Sequence, residues 1–391
     1  MNLKAWKAMF ILLVFTIGTS MVSPLLPLYK ETFHLSQGNT TLIFAIYTLA
    51  VLPSMLLFGQ LSDQVGRKRV IWPAMILGII ASALLGSSHS IATLYLGRLA
   101  QGLGIGAFLG TCTAYVVDLA DPKAKLMAAV MAGVSFRVGF GVGPGLAGVT
   151  AQYLPYPLQL TFGVHILLML IAMVVLAGTP ETIQNRQFEK LSVDMGIPLA
   201  HKLPFVLFVL PSAFILTVMD STVLSLAPSF LNDIMGFRNL AVIGLVSFLV
   251  LAAGGFSQIL AVYFQPKQSI MIGLVVGVAS FYLFFLAVQF HNIFFIVIAS
   301  AIIGASNGLI LKGGVTMCSL LVPQEERGRL ISTLYAVCYA GILVPLGTGY
   351  LADRIGLFQA MLTLVLGLTV ILVILSFTSR LLNYRYGESD T

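Results

Sequence analysis

The segment Gly59–Val70 reads GQLSDQVGRKRV, and it connects two long apolar stretches of the chain. Gly66 provides the backbone freedom that a tight turn between two helices needs. Three basic residues follow this glycine directly, and Asp63 precedes it by three positions. A basic side chain or a helix N-terminus can neutralise such a carboxylate. A solvated loop would explain the basic residues but not the spacing Gly-x-x-x-Asp-x-x-Gly-Arg.

The composition of the chain around this loop excludes a soluble protein. Hydrophobic residues make up 58% of the 391 positions and charged residues only 9%, whereas soluble domains carry about 25% charge. Twelve apolar stretches are long enough to cross a ~30 Å hydrocarbon core as helices. Helices are expected because lipid offers no partner to unpaired backbone groups. The stretches lie at approximately 9–28, 40–61, 70–88, 91–119, 126–151, 160–178, 203–230, 240–264, 270–288, 293–321, 330–351 and 357–381.

The basic residues are distributed unequally over the segments that connect these spans. If the N-terminus is cytoplasmic, the outer loops contain three of the 21 lysines and arginines, and the spans contain three more, Arg98, Arg137 and Lys312. The other basic residues are cytoplasmic, as the positive-inside rule requires. The net charge of +7 therefore reflects membrane topology and not a nucleic-acid surface. We expect a multi-pass protein of the cytoplasmic (inner) membrane with both termini in the cytoplasm.

The two halves of the chain are related by one constant offset. The longest non-apolar stretch, Pro180–Lys202, separates six spans from six, which predicts an N-terminal bundle at 1–179, a cytoplasmic linker at 180–202 and a C-terminal bundle at 203–391. Four pairs of residues in equivalent places are each 201 positions apart: Pro27 and Pro228, Pro122 and Pro323, Pro144 and Pro345, and Gly148 and Gly349. Parallel repeats of this kind place a substrate site near the midplane between the halves.

Several motifs resemble those of the major facilitator superfamily. The Gly59–Val70 loop is similar to the signature loop of that family. GRLAQGLGIGAF in the fourth span matches its Arg-x-x-Gln-Gly pattern at Arg98, Gln101 and Gly102, and SPLLPLY is similar to its paired-proline segment. The resemblance implies an all-α polytopic membrane protein with the major facilitator fold, that is, 12 transmembrane helices in two six-helix pseudo-repeats.

The fifth span contains GVSFRVGFGVGPGLAG, from Gly133 to Gly148. Four of its residues resemble the Gly-x-x-x-Gly-Pro-x-x-Gly-Gly signature of the antiporters in this family: Gly139, Gly143, Pro144 and Gly148. Small residues at every fourth position also permit close helix packing in any membrane protein, which is the alternative interpretation. Across the whole chain, the resemblance points to the twelve-span drug:proton antiporters.

Charged side chains within membrane spans cost from ~3 kcal/mol upward, and they are functional candidates by default. Asp220 is the carboxylate that lies deep in the predicted bundle. We assign proton coupling to it, because arginine cannot release its proton. The alternative is a structural ion pair of Asp220 with Lys312 or Arg137. Substrate binding is assigned to these two basic residues together with Arg98 and Gln101.

Gating at the cytoplasmic face is assigned to the signature loop and to the end of the fourth span, namely to Gly59, Asp63, Gly66, Arg67 and Asp118. Four hydroxyl residues follow one face of the first span, at Thr16, Thr19, Ser20 and Ser23. They either bond neighbouring helices or line a cavity, and both interpretations stay open. For His165 we expect a hydrogen-bonded packing role.

These assignments predict the export of a small organic molecule in exchange for protons by alternating access. The deep charges, three basic and one acidic, favour an anionic or zwitterionic substrate, and a drug-like molecule is the alternative. A proton-coupled importer, a dedicated metabolite or siderophore exporter and a lipid flippase are the alternatives. No catalytic cluster or metal-ligand spacing occurs in the sequence, so an enzyme, a cofactor and a bound metal are not expected. We expect the partners of a monomer to be substrate, protons and lipid, without nucleic acid.

Overall fold

A computed structural model of the protein describes residues 2–183, 202–323 and 326–381. Within these ranges, twelve helical elements are long and apolar enough to cross a membrane. This confirms the all-α polytopic fold. The elements are α1 Leu3–Phe33, α2 Gln37–Val65, α3 Arg67–Gly86, α4 Ile91–Leu119, α5 Pro122–Tyr153, α6 Pro157–Ala177, α7 Phe205–Ile234, α8 Leu240–Tyr263, α9 Pro266–Ala287, α10 Ile293–Leu321, α11 Arg327–Ile355 and α12 Leu357–Arg380.

Most of the elements run several residues beyond the apolar stretches, and polar residues cap the starts of some of them. Asn2 accepts a hydrogen bond from Ala5 N at the start of α1, and Ser36 accepts one from Asn39 N at the start of α2. Such caps satisfy backbone N–H groups that have no partner in the first helical turn. The turn between α2 and α3 is made at Gly66, whose φ of +118° is a left-handed conformation that glycine adopts readily.

Several spanning elements are interrupted near their middle. The regular helix of α1 ends at Ser20, before the paired prolines, and resumes at Leu26 after a short 3-10 turn. The helix of α2 breaks at Ile46 and Tyr47, and that of α11 breaks at Ile342. Interrupted helices expose backbone groups inside the protein, and neighbouring side chains must then supply hydrogen bonds to them.

Each half builds an apolar core of its own. In the first half, Phe15 and Phe108 stack with their ring centroids 4.0 Å apart. In the second half, Phe230 packs against Phe284 at 5.3 Å. The greater part of the predicted linker, positions 184–201, lies outside the described residues, so the proposed bounds of the halves stay a prediction.

The halves meet along α5 and α8, along α2 and α11, and between α1 and α7. At the α1–α7 contact, Ser23 Oγ donates to the carbonyl of Leu224 (2.6 Å), and Asn232 Nδ2 donates to a Glu31 carboxylate oxygen (3.4 Å). Both pairs are 201 positions apart, which is the offset between the sequence repeats. Residues on a twofold axis contact their own symmetry mates, so the pseudo-twofold axis passes through this contact.

Candidate functional site

A cavity of about 140 Å³ lies between the halves, at the level where α1, α2 and α11 are interrupted. Its walls come from both halves and are mostly apolar. Five aromatic side chains contribute to them: Phe44, Tyr47, Phe136, Phe140 and Tyr339. Asp220 on α7 is the charged residue in this lining. The cavity therefore places a carboxylate inside an aromatic enclosure between the two bundles.

A residue of α10, Asn307, hydrogen-bonds the Asp220 carboxylate. The amide nitrogen Nδ2 of Asn307 donates to Asp220 Oδ1 (2.5 Å). The Arg137 guanidinium on α5 is near enough to attract this carboxylate electrostatically. Among the described residues, however, Asp220 forms no salt bridge with Arg137 or Lys312 within 4.0 Å. The direct ion pair that we considered as an alternative for Asp220 is thus not formed in this conformation.

Arg98 is 1% exposed, and its guanidinium donates hydrogen bonds to backbone carbonyls of two interrupted helices. Its Nε donates to the carbonyl of Ile43 and one terminal nitrogen donates to that of Phe44, both at 2.8 Å, beside the break in α2. The other terminal nitrogen reaches the carbonyl of Thr19 (3.3 Å), beside the break in α1, and also the side-chain oxygen of Gln101. The guanidinium lies 4.3 Å from the ring centroid of Tyr47.

Gln101 completes this arrangement, because its Nε2 donates to the carbonyl of Gly18 (2.7 Å). The Arg-x-x-Gln pattern of α4 therefore joins the interrupted parts of α1 and α2. Neither residue lines the described cavity. Arg137 and Lys312 are half-buried, and among the described residues neither side chain forms a hydrogen bond or a salt bridge. Of the four residues predicted to bind substrate, Arg98 and Gln101 therefore contact each other, and within the described ranges neither of them forms a hydrogen bond with Arg137 or Lys312.

The four hydroxyl residues on one face of α1 differ in whether they bond a neighbouring helix or line the cavity. Ser20 Oγ donates to the carbonyl of Phe140 on α5 (2.6 Å), and Ser23 bonds α7. Thr16 donates to carbonyls of its own helix. Thr19 lines the cavity. His165 on α6 hydrogen-bonds Ser82 and the carbonyl of Val14 inside the first half, which is the packing role expected for it.

Three of the predicted gating residues form one charged cluster. Arg67 bridges Asp63 (2.5 Å) and Asp118 (3.1 Å). Sequence reasoning missed Glu181, whose carboxylate accepts from the backbone N–H groups of Arg67 (2.9 Å) and Lys68 (3.0 Å) and so caps α3. The segment TPET that contains Glu181 was the available signal.

The two glycines of the signature loop differ in their surroundings. A Cβ at Gly66 would lie 2.7 Å from a carboxylate oxygen of Glu181, in addition to the strain of its positive φ. A Cβ at Gly59 would meet no atom within 4 Å, so packing within this structure does not demand glycine there.

The glycine-rich face of α5 packs against two different helices. A Cβ at Gly139 or Gly143 would clash with backbone carbonyls of α1. A Cβ at Gly148 would lie 2.5 Å from the carbonyl oxygen of Leu240 on α8, and one at Gly244 on α8 would lie 2.5 Å from that of Pro144. The second half of the motif therefore forms part of the contact between the two bundles.

A further set of contacts between the halves lies at the predicted outer ends of the spans. Asp353, at the end of α11, accepts from the backbone N–H groups of Gln37 (2.7 Å) and Gly38 (3.0 Å) and so caps α2. Gln152, at the end of α5, accepts from Leu240 N (2.7 Å) and so caps α8. Positions 152 and 353 differ by the repeat offset of 201, so the two caps are symmetry-related.

An ion pair between α1 and α7 lies in the same region. Lys30 Nζ is 2.5 Å from a carboxylate oxygen of Asp233. Sequence reasoning did not identify these outer contacts, because the repeat offset alone does not show which helix ends meet.

The comparison with known families decides the classification. The profile of the Major Facilitator Superfamily matches residues 8–341. The chain belongs to the major facilitator superfamily.

Two curated relatives within the superfamily are resistance proteins. The chain is 23% identical over 274 residues to the quinolone resistance protein NorA of Staphylococcus aureus (strain MSSA476), covering 68% of this chain and 67% of that protein. It is 25% identical over 360 residues to the class B tetracycline resistance protein of Escherichia coli, covering 88% of each.

Solved structures of other superfamily members share the fold. A peptide transporter POT in complex with sulfate has a TM-score of 0.77 at 14% identity, covering 98% of this chain and 96% of that one. A D-xylose-proton symporter has a TM-score of 0.69 at 15% identity, covering 91% and 95%. The chain is accordingly a multi-pass membrane transporter of the major facilitator superfamily that handles small molecules.

Proposed function

We propose that this transporter exports a small organic molecule in exchange for protons by alternating access. The observation that carries the proposal is the position of Asp220, the acidic residue in the lining of a cavity that both halves build. A carboxylate there can accept a proton from one side of the membrane and release it to the other, and it can attract the substrate in between. The names of the curated relatives, which are resistance proteins for quinolones and tetracycline, support export.

The cavity lining favours a substrate that carries a positive charge. The three basic residues and one acidic residue within the spans predicted an anionic or zwitterionic substrate instead. Arg98, however, donates to backbone carbonyls and is not in the lining. A cation next to aromatic faces and a carboxylate is attracted by both. We therefore place an aromatic organic cation ahead of an anionic metabolite as the substrate class.

The size of the cavity indicates that it must widen during transport. Pockets for drug-sized ligands span ~300–1,000 Å³, whereas this cavity has about 140 Å³, close to the ~150 Å³ of a cavity that holds benzene. We propose that the cluster of Asp63, Arg67 and Asp118 acts as the gate on the cytoplasmic side. We also propose that both termini are cytoplasmic, that the protein lies in the inner membrane and that it works as a monomer.

The test compares accumulation with exchange in the same proteoliposomes. Asp220→Asn imitates the protonated state permanently, so we expect gradient-free exchange of substrate to continue. Accumulation driven by an imposed pH difference should fall to equal concentrations on both sides. Asp220→Glu, which keeps an acid, should restore part of the accumulation. The proposal fails if Asp220→Asn accumulates substrate when only a pH difference is supplied.

Direction and substrate class are tested with inverted vesicles and a panel of aromatic cations, zwitterions and carboxylates. An exporter that exchanges protons for substrate accumulates substrate in inverted vesicles with an acidic interior. An importer that moves protons and substrate together would instead accumulate it in right-side-out vesicles with an acidic exterior. The class of compound that accumulates decides between a cationic and an anionic substrate.

A further inference from the structure

The hydroxyl group of Thr19 is an unusual feature of the cavity wall. Thr19 is 5% exposed, it lines the cavity, and its Oγ1 has no hydrogen-bond partner among the described residues. A buried hydroxyl without a partner is costly, and almost all such groups in proteins are hydrogen-bonded. Its position on the first-half wall therefore needs an explanation.

Threonine in a helix ordinarily bonds a carbonyl of the preceding turn. Thr16, one turn earlier on α1, does so by donating to the carbonyls of Leu12 (2.9 Å) and Leu13 (3.0 Å). Thr19 does not, although its own carbonyl accepts from Arg98. No described residue therefore bonds the Thr19 hydroxyl, and its oxygen is enclosed in the cavity wall, so a rotation of the side chain turns it towards a group inside the cavity.

The opposite wall provides polar groups of a different kind. Thr217 and Ser221 on α7 donate their hydroxyl protons to carbonyls of their own helix, at 3.3 and 2.5 Å. Asp220 lies between them in sequence and accepts from Asn307. The second half therefore offers a carboxylate to the cavity, and the wall of the first half contains a hydroxyl that no described residue bonds.

We propose that Thr19 is the hydrogen-bonding contact for substrate on the first-half wall. The substrate class that fits is an aromatic cation with a second polar group, such as a hydroxyl or carbonyl, placed across the ring from the positive charge. Such a molecule contacts Asp220 with its cationic end and Thr19 with its polar end, so it bridges the two halves. The inference rests on the proposed function, because it assumes that the cavity is the substrate site.

The test uses two probes that differ in one hydroxyl group. Phenyltrimethylammonium carries a ring and a positive charge but no hydrogen-bond donor, and (4-hydroxyphenyl)trimethylammonium adds a hydroxyl across the ring. Binding of both is measured by equilibrium dialysis with the purified protein in lipid nanodiscs. One hydrogen bond should make the hydroxylated probe bind the unmodified protein about fivefold more tightly.

Thr19→Val keeps the shape of the side chain and removes the hydroxyl, so it should abolish this fivefold preference while leaving the affinity for phenyltrimethylammonium unchanged. Thr19→Ser should retain the preference. Thr16→Val is the matched control on the same helix, and it should also retain the preference. Gel filtration confirms that each variant is folded.

The outcomes separate this inference from the proposed function. A preference that survives in Thr19→Val, or that Thr16→Val removes equally, overturns the role of Thr19 and leaves the proposed function standing. If the unmodified protein binds neither probe, the cationic substrate class is wrong and the inference fails with it.

Discussion

The cap that Asp353 provides to α2 should control how readily the predicted outer ends of the halves separate. Asp353→Asn keeps one acceptor oxygen but removes the negative charge and one of the two hydrogen bonds to Gln37 N and Gly38 N. Caps of this kind contribute ~0.5–2 kcal/mol, and a charge at an exposed helix N-terminus contributes ~0.3–1 kcal/mol. Because Asp353 is exposed, we take about 1 kcal/mol, which corresponds to about a fivefold change in the equilibrium.

Spin labels at His89→Cys and His291→Cys can measure this equilibrium. The two positions are exposed and lie between α3 and α4 and between α9 and α10, one in each half. The native cysteines Cys112, Cys318 and Cys338 are buried, which limits unwanted labelling. In pulsed electron paramagnetic resonance, we expect the ratio of long to short distances to rise about fivefold in Asp353→Asn.

Two further variants make the measurement specific. Gln152→Glu adds a charge to the symmetry-related cap of α8, so it should lower the fraction of long distances. Arg354→Gln removes the charge next to Asp353 without touching the cap, and it should leave the distances unchanged. An unchanged distribution in Asp353→Asn, or an equal shift in Arg354→Gln, would refute the reasoning.

Two other predictions concern residues inside the bundle. Arg98→Lys keeps the charge, but a lysine cannot bond all the carbonyls that the guanidinium bonds. The melting temperature in detergent should therefore fall by about 5 °C or more, whereas the affinity for substrate should change little. An unchanged melting temperature with lost affinity would make Arg98 a substrate contact. Gly148→Ala places a Cβ 2.5 Å from a backbone oxygen of α8, and at equal expression it should slow transport about tenfold. Gly145→Ala, whose Cβ would lie 3.8 Å from Phe248, is the control and should transport normally.

The twelve spans could be predicted from the sequence because the signal for each span lies within the span itself. An apolar stretch of sufficient length is a local property, and lipid permits few other structures. The cluster of Asp63 and Arg67 was likewise predictable, since these residues are four positions apart, on either side of the turn at Gly66. Asp118 joins them from α4, as expected for a charge at the predicted cytoplasmic end of that span.

The surroundings of Arg98 could not be predicted in the same way. The sequence shows a buried charge, but its partners are carbonyls beside the breaks in α1 and α2. The paired prolines mark the break in α1, but no proline or glycine marks the break in α2 at Ile46 and Tyr47. The same holds for Thr19, since its sequence spacing is that of Thr16 and Ser20, whose hydroxyls bond protein groups instead.

The contact between Glu31 and Asn232 shows what a single chain allows that two identical subunits do not. These residues occupy equivalent places in the two repeats and face each other across the pseudo-twofold axis. In a homodimer of six-span subunits, a glutamate at this place would face a second glutamate, and the two charges would repel each other at the predicted outer surface. Because both repeats lie on one chain, equivalent positions need not hold the same residue, so an acid on one side can face an amide on the other. Along the pseudo-twofold axis, a difference between the repeats therefore replaces a contact between two identical residues by a contact between two different ones.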